Sequence, residues 1–283
     1  MARTVFIPVP VRVVGVRRHP MRWTRWLSRR HSFPYNRSPS MHAAISDLAR
    51  RLRDCDRLVL FTGAGVSAES GIPTFRDAQT GLWARYSPEQ LASPEGFRAD
   101  PRTVWAWYAW RREKCLAAAP NPAHLAIAEL QRRLPGVTLI TQNVDGLHQR
   151  AGSEAPLELH GNLHRLKCFR CGADGGDWPE TLDPLPRCVC GGLLRPAVVW
   201  FGESLPGEVL ARASEAGLQA GLFFSIGTSS LVYPAADLPF QAKRRGAFVV
   251  EINPQPTPLS RHADLCLHGA AGGVLPRLLA ALE

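Results

Sequence analysis

The sequence predicts an α/β protein: an open parallel sheet with helices on both faces, carrying one small inserted module. Three observations predict it. Short apolar runs alternate with helical segments along the chain, the pattern of a parallel sheet covered on both sides. The first run, Leu58-Val59-Leu60-Phe61, passes at once into a glycine turn. Residues 168–192 interrupt the alternation; they are rich in Cys, Gly, Pro and Asp and too poor in pattern to build a core of their own.

Taken in order, His42 to Arg53 has helical spacing of Ala44, Ile45, Leu48, Ala49 and Leu52 and leads into the first strand. In Thr62-Gly63-Ala64-Gly65, the residues Gly63, Gly65 and Ala68 match the G-x-G-x-x-G/A spacing of a dinucleotide loop, which makes the expected sheet Rossmann-like. A helix starting near Val66 would aim its free N–H groups at phosphates. The pattern alone is equally that of a tight strand-to-helix turn. The stretch Ser70 to Asp77 reads as a covering loop where a second strand would otherwise stand.

Leu82 to Phe97 is mixed, with turn signals at Ser87-Pro88 and Ser93-Pro94. Asp100 is a candidate N-cap for a helix from Pro101 to about Ala118, and Asn121-Pro122 opens another. Val137 to Ile140 predicts a strand, as do Ala197–Phe201, Leu222–Ile226, Ala247–Ile252 and the short run Asp264–Leu267. Helices are expected over Pro206–Leu218, Ala235–Arg245 and from residue 268 to Leu282. Ligands of such sheets bind beyond the carboxyl ends of the strands. Gly63, Asn143, Gly227 and Asn253 each follow a strand and should converge on one crevice.

The chain has 283 residues and a formal net charge of +10. Residues 1–40 hold nine arginines and no acid, so the remainder is close to neutral. The excess is therefore local, and no groove of alternating aromatic and basic residues accompanies it. Neither specific nucleic-acid binding nor membrane binding is expected. Residues 1–40 are expected to be a disordered extension, or leader translated upstream of a start at Met41. No apolar run approaches the roughly 20 residues that span a bilayer. Of seven cysteines, Cys55, Cys115 and Cys266 are scattered, whereas Cys168, Cys171, Cys188 and Cys190 form two close pairs. That spacing suits a tetrahedral structural Zn²⁺ in a reducing cytoplasm, and four thiolates leave no open position for catalysis.

GAGVSAESGIPTFRD, TQNVDGLHQRAG, ELHGNL, the cysteine pairs, VVWFGE and GTSSLVYPAA occur in that order. Together they resemble the sirtuin family of NAD-dependent protein-lysine deacylases. The resemblance spans residues 41–283 and implies a catalytic domain there, with the zinc module inserted at 162–195. It implies NAD as cofactor, with Gly63, Ala64, Gly65, Thr74, Phe75 and Arg76 at the phosphate and nicotinamide end. Gln142, Asn143 and Asp145 would hold the nicotinamide ribose and amide, and Gly227, Thr228, Ser229, Asn253 and Ala271 the adenosine end. His160 would be the general base, with Asn143 and Asp145 beside it in the catalytic set. His148 and His164 read as structural.

The implied chemistry joins an acyl-lysine carbonyl oxygen to the ribose as nicotinamide leaves. A neutral imidazole near its ordinary pKa of ~6.5 then takes a ribose hydroxyl proton. The products would be lysine, nicotinamide and O-acyl-ADP-ribose, and the partners acylated-lysine proteins. Tyr108 and Arg111 are three apart and share a helix face. Spacing alone makes them a packing stripe. They also resemble the Tyr-x-x-Arg of the branch that removes succinyl and malonyl groups, where Arg grips a carboxylate and Tyr adds a donor. Val198 to Gly202 would pair with the substrate backbone by strand addition, or be a core strand, or both. Two alternatives stay open: mono-ADP-ribosyl transfer to protein, and a non-catalytic NAD-sensing zinc module.

Overall fold

A computed structural model describes residues 40–72 and 85–283, which belong to one compact unit. Eight strands are present among the described residues: β1 (Leu58–Thr62), β2 (Val137–Thr141), β3 (Leu157–Glu158), β4 (Gly161–Cys168), β5 (Leu194–Val198), β6 (Leu222–Ile226), β7 (Phe248–Asn253) and β8 (Leu265–His268). The helices are α1 (Met41–Arg53), α2 (Pro88–Leu91), α3 (Pro94–Ala99), α4 (Pro101–Ala117), α5 (Pro122–Arg133), α6 (Leu147–Arg150), α7 (Gly207–Gln219), α8 (Leu238–Arg244) and α9 (Ala271–Ala280).

Six strands form one parallel sheet in the order β3-β2-β1-β6-β7-β8. The chain runs outward from β1 to one edge, then returns to β6 and runs to the other. The order therefore reverses between β1 and β6, and a crevice opens there beyond their carboxyl ends. Alternate residues of β1 serve opposite cores: Leu58 and Leu60 pack with α1, α5 and α9, while Val59 and Phe61 pack with α7 and α8. This explains why the central strands read as unbroken apolar runs rather than as alternation.

A third core lies beside the sheet. There α2, α3 and α4 supply Leu91, Phe97, Trp105 and Tyr108, and the antiparallel pair β4–β5 supplies Leu163, Leu166 and Leu194. The expected strand at 197–201 is thus corrected. It begins three residues earlier, stops at Val198, and pairs with β4 rather than joining the parallel sheet. A five-residue apolar run cannot by itself distinguish these placements.

Ser87-Pro88 and Ser93-Pro94 are not turns but helix starts. Each serine hydroxyl accepts an amide of the first turn, from Gln90 and Gly96 respectively, and each proline takes the first helical position, where an N–H is not needed. The expected helix near Val66 is also corrected. Two short 3₁₀ turns, Ala64–Val66 and Ala68–Ser70, stand there instead, closed by Gly71 at φ 77°. Val66 is the buried residue of these turns, whereas Ala68 is exposed, so Ala68 is not the small packing residue that its spacing suggested. Thr74, Phe75, Arg76 and residues 1–39 lie outside the described residues. No described helix is long and apolar enough to cross a membrane.

Candidate active site

The loops after β1 and β6 meet backbone to backbone. The Gly63 amide donates to the Ile226 carbonyl at 3.0 Å, and the Gly65 amide to the Gly227 carbonyl at 2.8 Å. A Cβ on Gly227 would stand 2.5 Å from the Val66 nitrogen, and its φ is 61°. Both facts require glycine there. The two early glycine amides are therefore spent on the sheet, while Ala64, between them, stays exposed. Gly227→Ala is expected to lower the thermal midpoint by several degrees and to weaken NAD binding, because the β1 and β6 loops must part. Thermal melts with and without NAD check this; an unchanged midpoint and affinity would refute it.

After β2, Asn143 and Asp145 are buried in a polar network. The Ser67 hydroxyl donates to Asp145 Oδ2 at 2.7 Å, the Leu147 amide to Oδ1 at 2.9 Å, and Asn143 Nδ2 to Ser67 Oγ at 3.2 Å. His124 completes the chain. Its Nδ1 accepts the Asn121 amide, so Nε2 carries the proton and faces Ser67 Oγ at 3.4 Å. Sequence reasoning missed Ser67 and His124. The available signal was Asn121, three residues before His124, which caps α5 and fixes that ring.

Beneath them, His148 Nε2 lies 3.0 Å from Thr62 Oγ1, which also donates to Thr141 Oγ1. Burial, then the neighbouring His124, pushes the His148 pKa down to about 3. An unfolded histidine titrates near ~6.5. The unfolded chain therefore takes up this proton first, and stability should fall as pH drops from about 6.5 toward 3, by up to about 1.4 kcal/mol per pH unit. Urea unfolding at pH 7, 6 and 5 checks the sign; a midpoint that rises on acidification would contradict it.

His160 sits between the two sheets, after β3 and before β4. Its Nδ1 lies 3.0 Å from the Gln142 carbonyl, and the Gln142 amide donates to Thr62. A carbonyl only accepts, so Nδ1 carries the proton and Nε2 keeps the lone pair. Burial lowers the His160 pKa, which favours the neutral ring. A Cβ on Gly161 would meet the Ala197 carbonyl at 2.1 Å, so glycine lets β4 close on β5 directly behind the imidazole. The His160 carbonyl in turn accepts the Val199 amide at 2.9 Å.

That bond ties His160 to the 198–203 turn. Trp200 donates its indole N–H to the Tyr108 hydroxyl at 2.8 Å. Tyr108 is buried, which drives its pKa up to about 12, so the phenol keeps its proton. Arg111, one turn along α4, lies over the Trp107 ring at 4.8 Å and the Tyr108 ring at 5.7 Å. Val198 is buried and its carbonyl accepts Arg195, whereas Gly202 is exposed with open space around it.

At the far side of the crevice, Thr228 is buried, Ser229 is exposed, and Asn253 Nδ2 donates to the Thr228 carbonyl at 2.9 Å. Ala271 opens α9. The neighbouring Gly272 amide donates to Glu69 Oε2 at 2.8 Å, which ties α9 to the loop after β1. The crevice thus gathers Gly63–Gly65, Gly227–Ser229 and Asn253 at the point where the strand order reverses, as a dinucleotide requires.

Cys168, Cys171, Cys188 and Cys190 bring their sulfurs within 4.8 Å of one another. Cys168 and Cys190 stand 3.5 Å apart, Cys171 and Cys188 3.8 Å. Tetrahedral Zn–S bonds of about 2.3 Å would set neighbouring sulfurs about 3.8 Å apart, so the residues fit zinc. Amides of Arg170, Cys171 and Gly192 point at the sulfurs, as thiolates need. Removing the metal with a strong chelator should disorder the β4–β5 module and abolish turnover. Near-ultraviolet dichroism of Trp178, with zinc add-back, checks this; an unchanged spectrum would count against a structural metal.

The Sir2 family profile matches residues 63–234. A Methylococcus capsulatus protein named NAD-dependent protein deacylase is 54% identical over 247 residues, covering 84% of this chain and 96% of that protein. The solved structure of a Sir2 homologue in complex with NAD is 50% identical, covers 83% of this chain and 93% of its own, and superposes with a TM-score of 0.78. A Sir2 protein bound to a myristoylated histone peptide is 39% identical, with coverage of 84% and 95% and a TM-score of 0.68. The switch-point crevice, the four-sulfur cluster and these relatives converge: the chain belongs to the Sir2 family of NAD-dependent protein deacylases.

Proposed function

We propose that this deacylase removes succinyl and malonyl groups, as well as acetyl, from protein lysines. The observation that carries the acyl preference is the Tyr108–Arg111 pair. A fixed cation and a phenol that keeps its proton share one face of α4, and Trp200 links them to the turn that holds the His160 carbonyl. Arg is suited to a bidentate grip on the distal carboxylate, and the Tyr108 hydroxyl can donate a hydrogen bond to the same group. An acetyl group offers neither contact.

In this reading the bound NAD supplies an activated ribose carbon and nicotinamide as leaving group. Gly63, Ala64, Gly65 and, outside the described residues, Thr74, Phe75 and Arg76 hold its phosphate and nicotinamide end. Gly227, Thr228, Ser229, Asn253 and Ala271 hold the adenosine end. Gln142, Asn143 and Asp145 orient the nicotinamide side, the last two through the bonds to Ser67 and Leu147. His160 accepts a hydroxyl proton at Nε2, because its Nδ1 is committed to Gln142. Gly202 and Val198 flank the substrate backbone. The Val198 carbonyl is already engaged by Arg195, so the exposed Gly202 carries more of that pairing.

Partners are acylated-lysine proteins, consistent with the acylated histone peptide held by the 39%-identical relative. Residues 162–195 serve as an inserted zinc module on a catalytic domain of residues 41–283. None of the seven cysteines is in a disulfide, which suits a reducing cytoplasm.

The test is side-by-side turnover of acetyl-, succinyl- and malonyl-lysine peptides with NAD. The expected result is a higher kcat/KM for the two acidic acyl groups, with nicotinamide and O-acyl-ADP-ribose formed in equal amounts. Faster acetyl turnover would overturn the preference. ADP-ribosylated protein without acyl transfer would overturn the deacylase reading.

A further inference from the structure

Arg195 is fully buried, yet the mechanism does not use it. Its guanidinium donates to both oxygens of Glu203 at 2.8 Å and to the Val198 carbonyl at 2.5 Å, and its central carbon lies over the Trp200 ring, 3.3 Å from the centroid. Glu203 in turn accepts the Trp200 amide at 2.9 Å, and the Glu203 amide donates to the Trp200 carbonyl at 3.0 Å. Every bond closes the turn from Val198 to Glu203 around one side chain, Trp200. Phe97 and Phe169 also pack against that indole, at centroid distances of 5.2 and 6.2 Å. The indole therefore has one orientation, with its N–H on the Tyr108 oxygen.

Arg195 is the buried member of the pair, Glu203 stays partly exposed beside Lys167, and withdrawing a charge from water in this way is costly enough that an apolar replacement is often as stable. Such a pair is weak evidence for stability and better suited to fixing a unique geometry. The geometry fixed here is that of Tyr108. With the indole N–H on its oxygen, the phenol's own proton must point away from Trp200.

We propose that the pair of buried Arg195 with partly exposed Glu203 is a positioning device for acyl selectivity: it locks Trp200, which holds Tyr108 by its oxygen and turns the phenolic proton toward an acidic acyl group. This rests on the Tyr108–Arg111 reading above. Arg195, Glu203 and Trp200 are positioning residues; only Tyr108 and Arg111 touch the acyl chain.

The experiment compares zinc-loaded wild type with Trp200→Phe, Glu203→Gln, Tyr108→Phe and the double variant Tyr108→Phe/Trp200→Phe. KM and kcat are measured on succinyl- and acetyl-lysine peptides at saturating NAD. Trp200→Phe keeps the ring and deletes its N–H. It should raise the succinyl KM about fivefold to tenfold, the scale of one lost hydrogen bond, with little change in kcat and a fall in the succinyl-to-acetyl ratio of kcat/KM. Glu203→Gln should do the same. The double variant should be no worse than Tyr108→Phe alone, because Trp200 acts through that hydroxyl. If Glu203→Gln fails to fold, Trp200→Phe and the double variant decide. An unchanged ratio in Trp200→Phe, or losses that multiply in the double variant, would overturn the positioning role while leaving the acyl pocket intact. If Tyr108→Phe itself leaves the ratio unchanged, the pocket reading falls, and this inference with it.

Discussion

Replacing His160 by Tyr is expected to slow acyl transfer by about 10²–10⁴-fold, the usual worth of a positioned proton acceptor, while the fold survives. The side chain is held by the bond from Nδ1 to the Gln142 carbonyl and lies in none of the three apolar cores. Little stability is therefore lost with it. Deacylated peptide formation and a thermal melt read the two consequences separately. Wild-type activity in this variant would remove His160 from its role. Burial lowers the His160 pKa below its ordinary ~6.5. The ring must be neutral to accept a proton, so its acid limb in the kcat/KM profile should fall below pH ~6.5, and activity should persist into mildly acidic buffer. An acid limb above pH 7 would contradict that assignment.

Arg111→Met should cost desuccinylation about 10- to 150-fold in kcat/KM, the value of a charge-assisted hydrogen bond, and cost deacetylation far less. Met keeps most of the length and the apolar stem that packs on α4, so the change isolates the charge. The guanidinium stands over the Trp107 and Tyr108 rings, and this contact limits its freedom before any substrate arrives. Less ordering then remains to be done on binding. Equal losses for both peptides would make Arg111 a structural residue, and no loss for either would place the carboxylate elsewhere.

The sheet was legible because its strands obey a rule with few exceptions. Leu58–Phe61 is apolar throughout, and Leu222–Ile226 at every position but Ser225, since each feeds two cores. The crevice followed from what ends those strands: Gly63, Asn143, Gly227 and Asn253 mark the carboxyl edge. The four cysteines were legible from spacing alone. What the sequence hid depends on partners distant in the chain. Nothing local distinguishes a strand of the main sheet from β5, which is defined by its pairing with β4. Ser67 and His124 are 57 residues apart and become one chain of donors only when α5 docks beside the first loop. The glycine pair at 63 and 65 was read as room for a pyrophosphate. The structure shows a second requirement, backbone contact with Ile226 and Gly227, which the same spacing serves. Arg195 looked like one more arginine in an arginine-rich chain, and only its burial against Glu203 and Trp200 sets it apart.

The most direct measurement is a crystal structure with NAD and an acyl-lysine peptide bound together. The account predicts His160 Nε2 within about 3.2 Å of a ribose hydroxyl oxygen, its Nδ1 still on the Gln142 carbonyl. An imidazole turned away from the sugar, or Nδ1 released from Gln142 with Nε2 protonated, would leave the reaction without its proton acceptor and contradict the account.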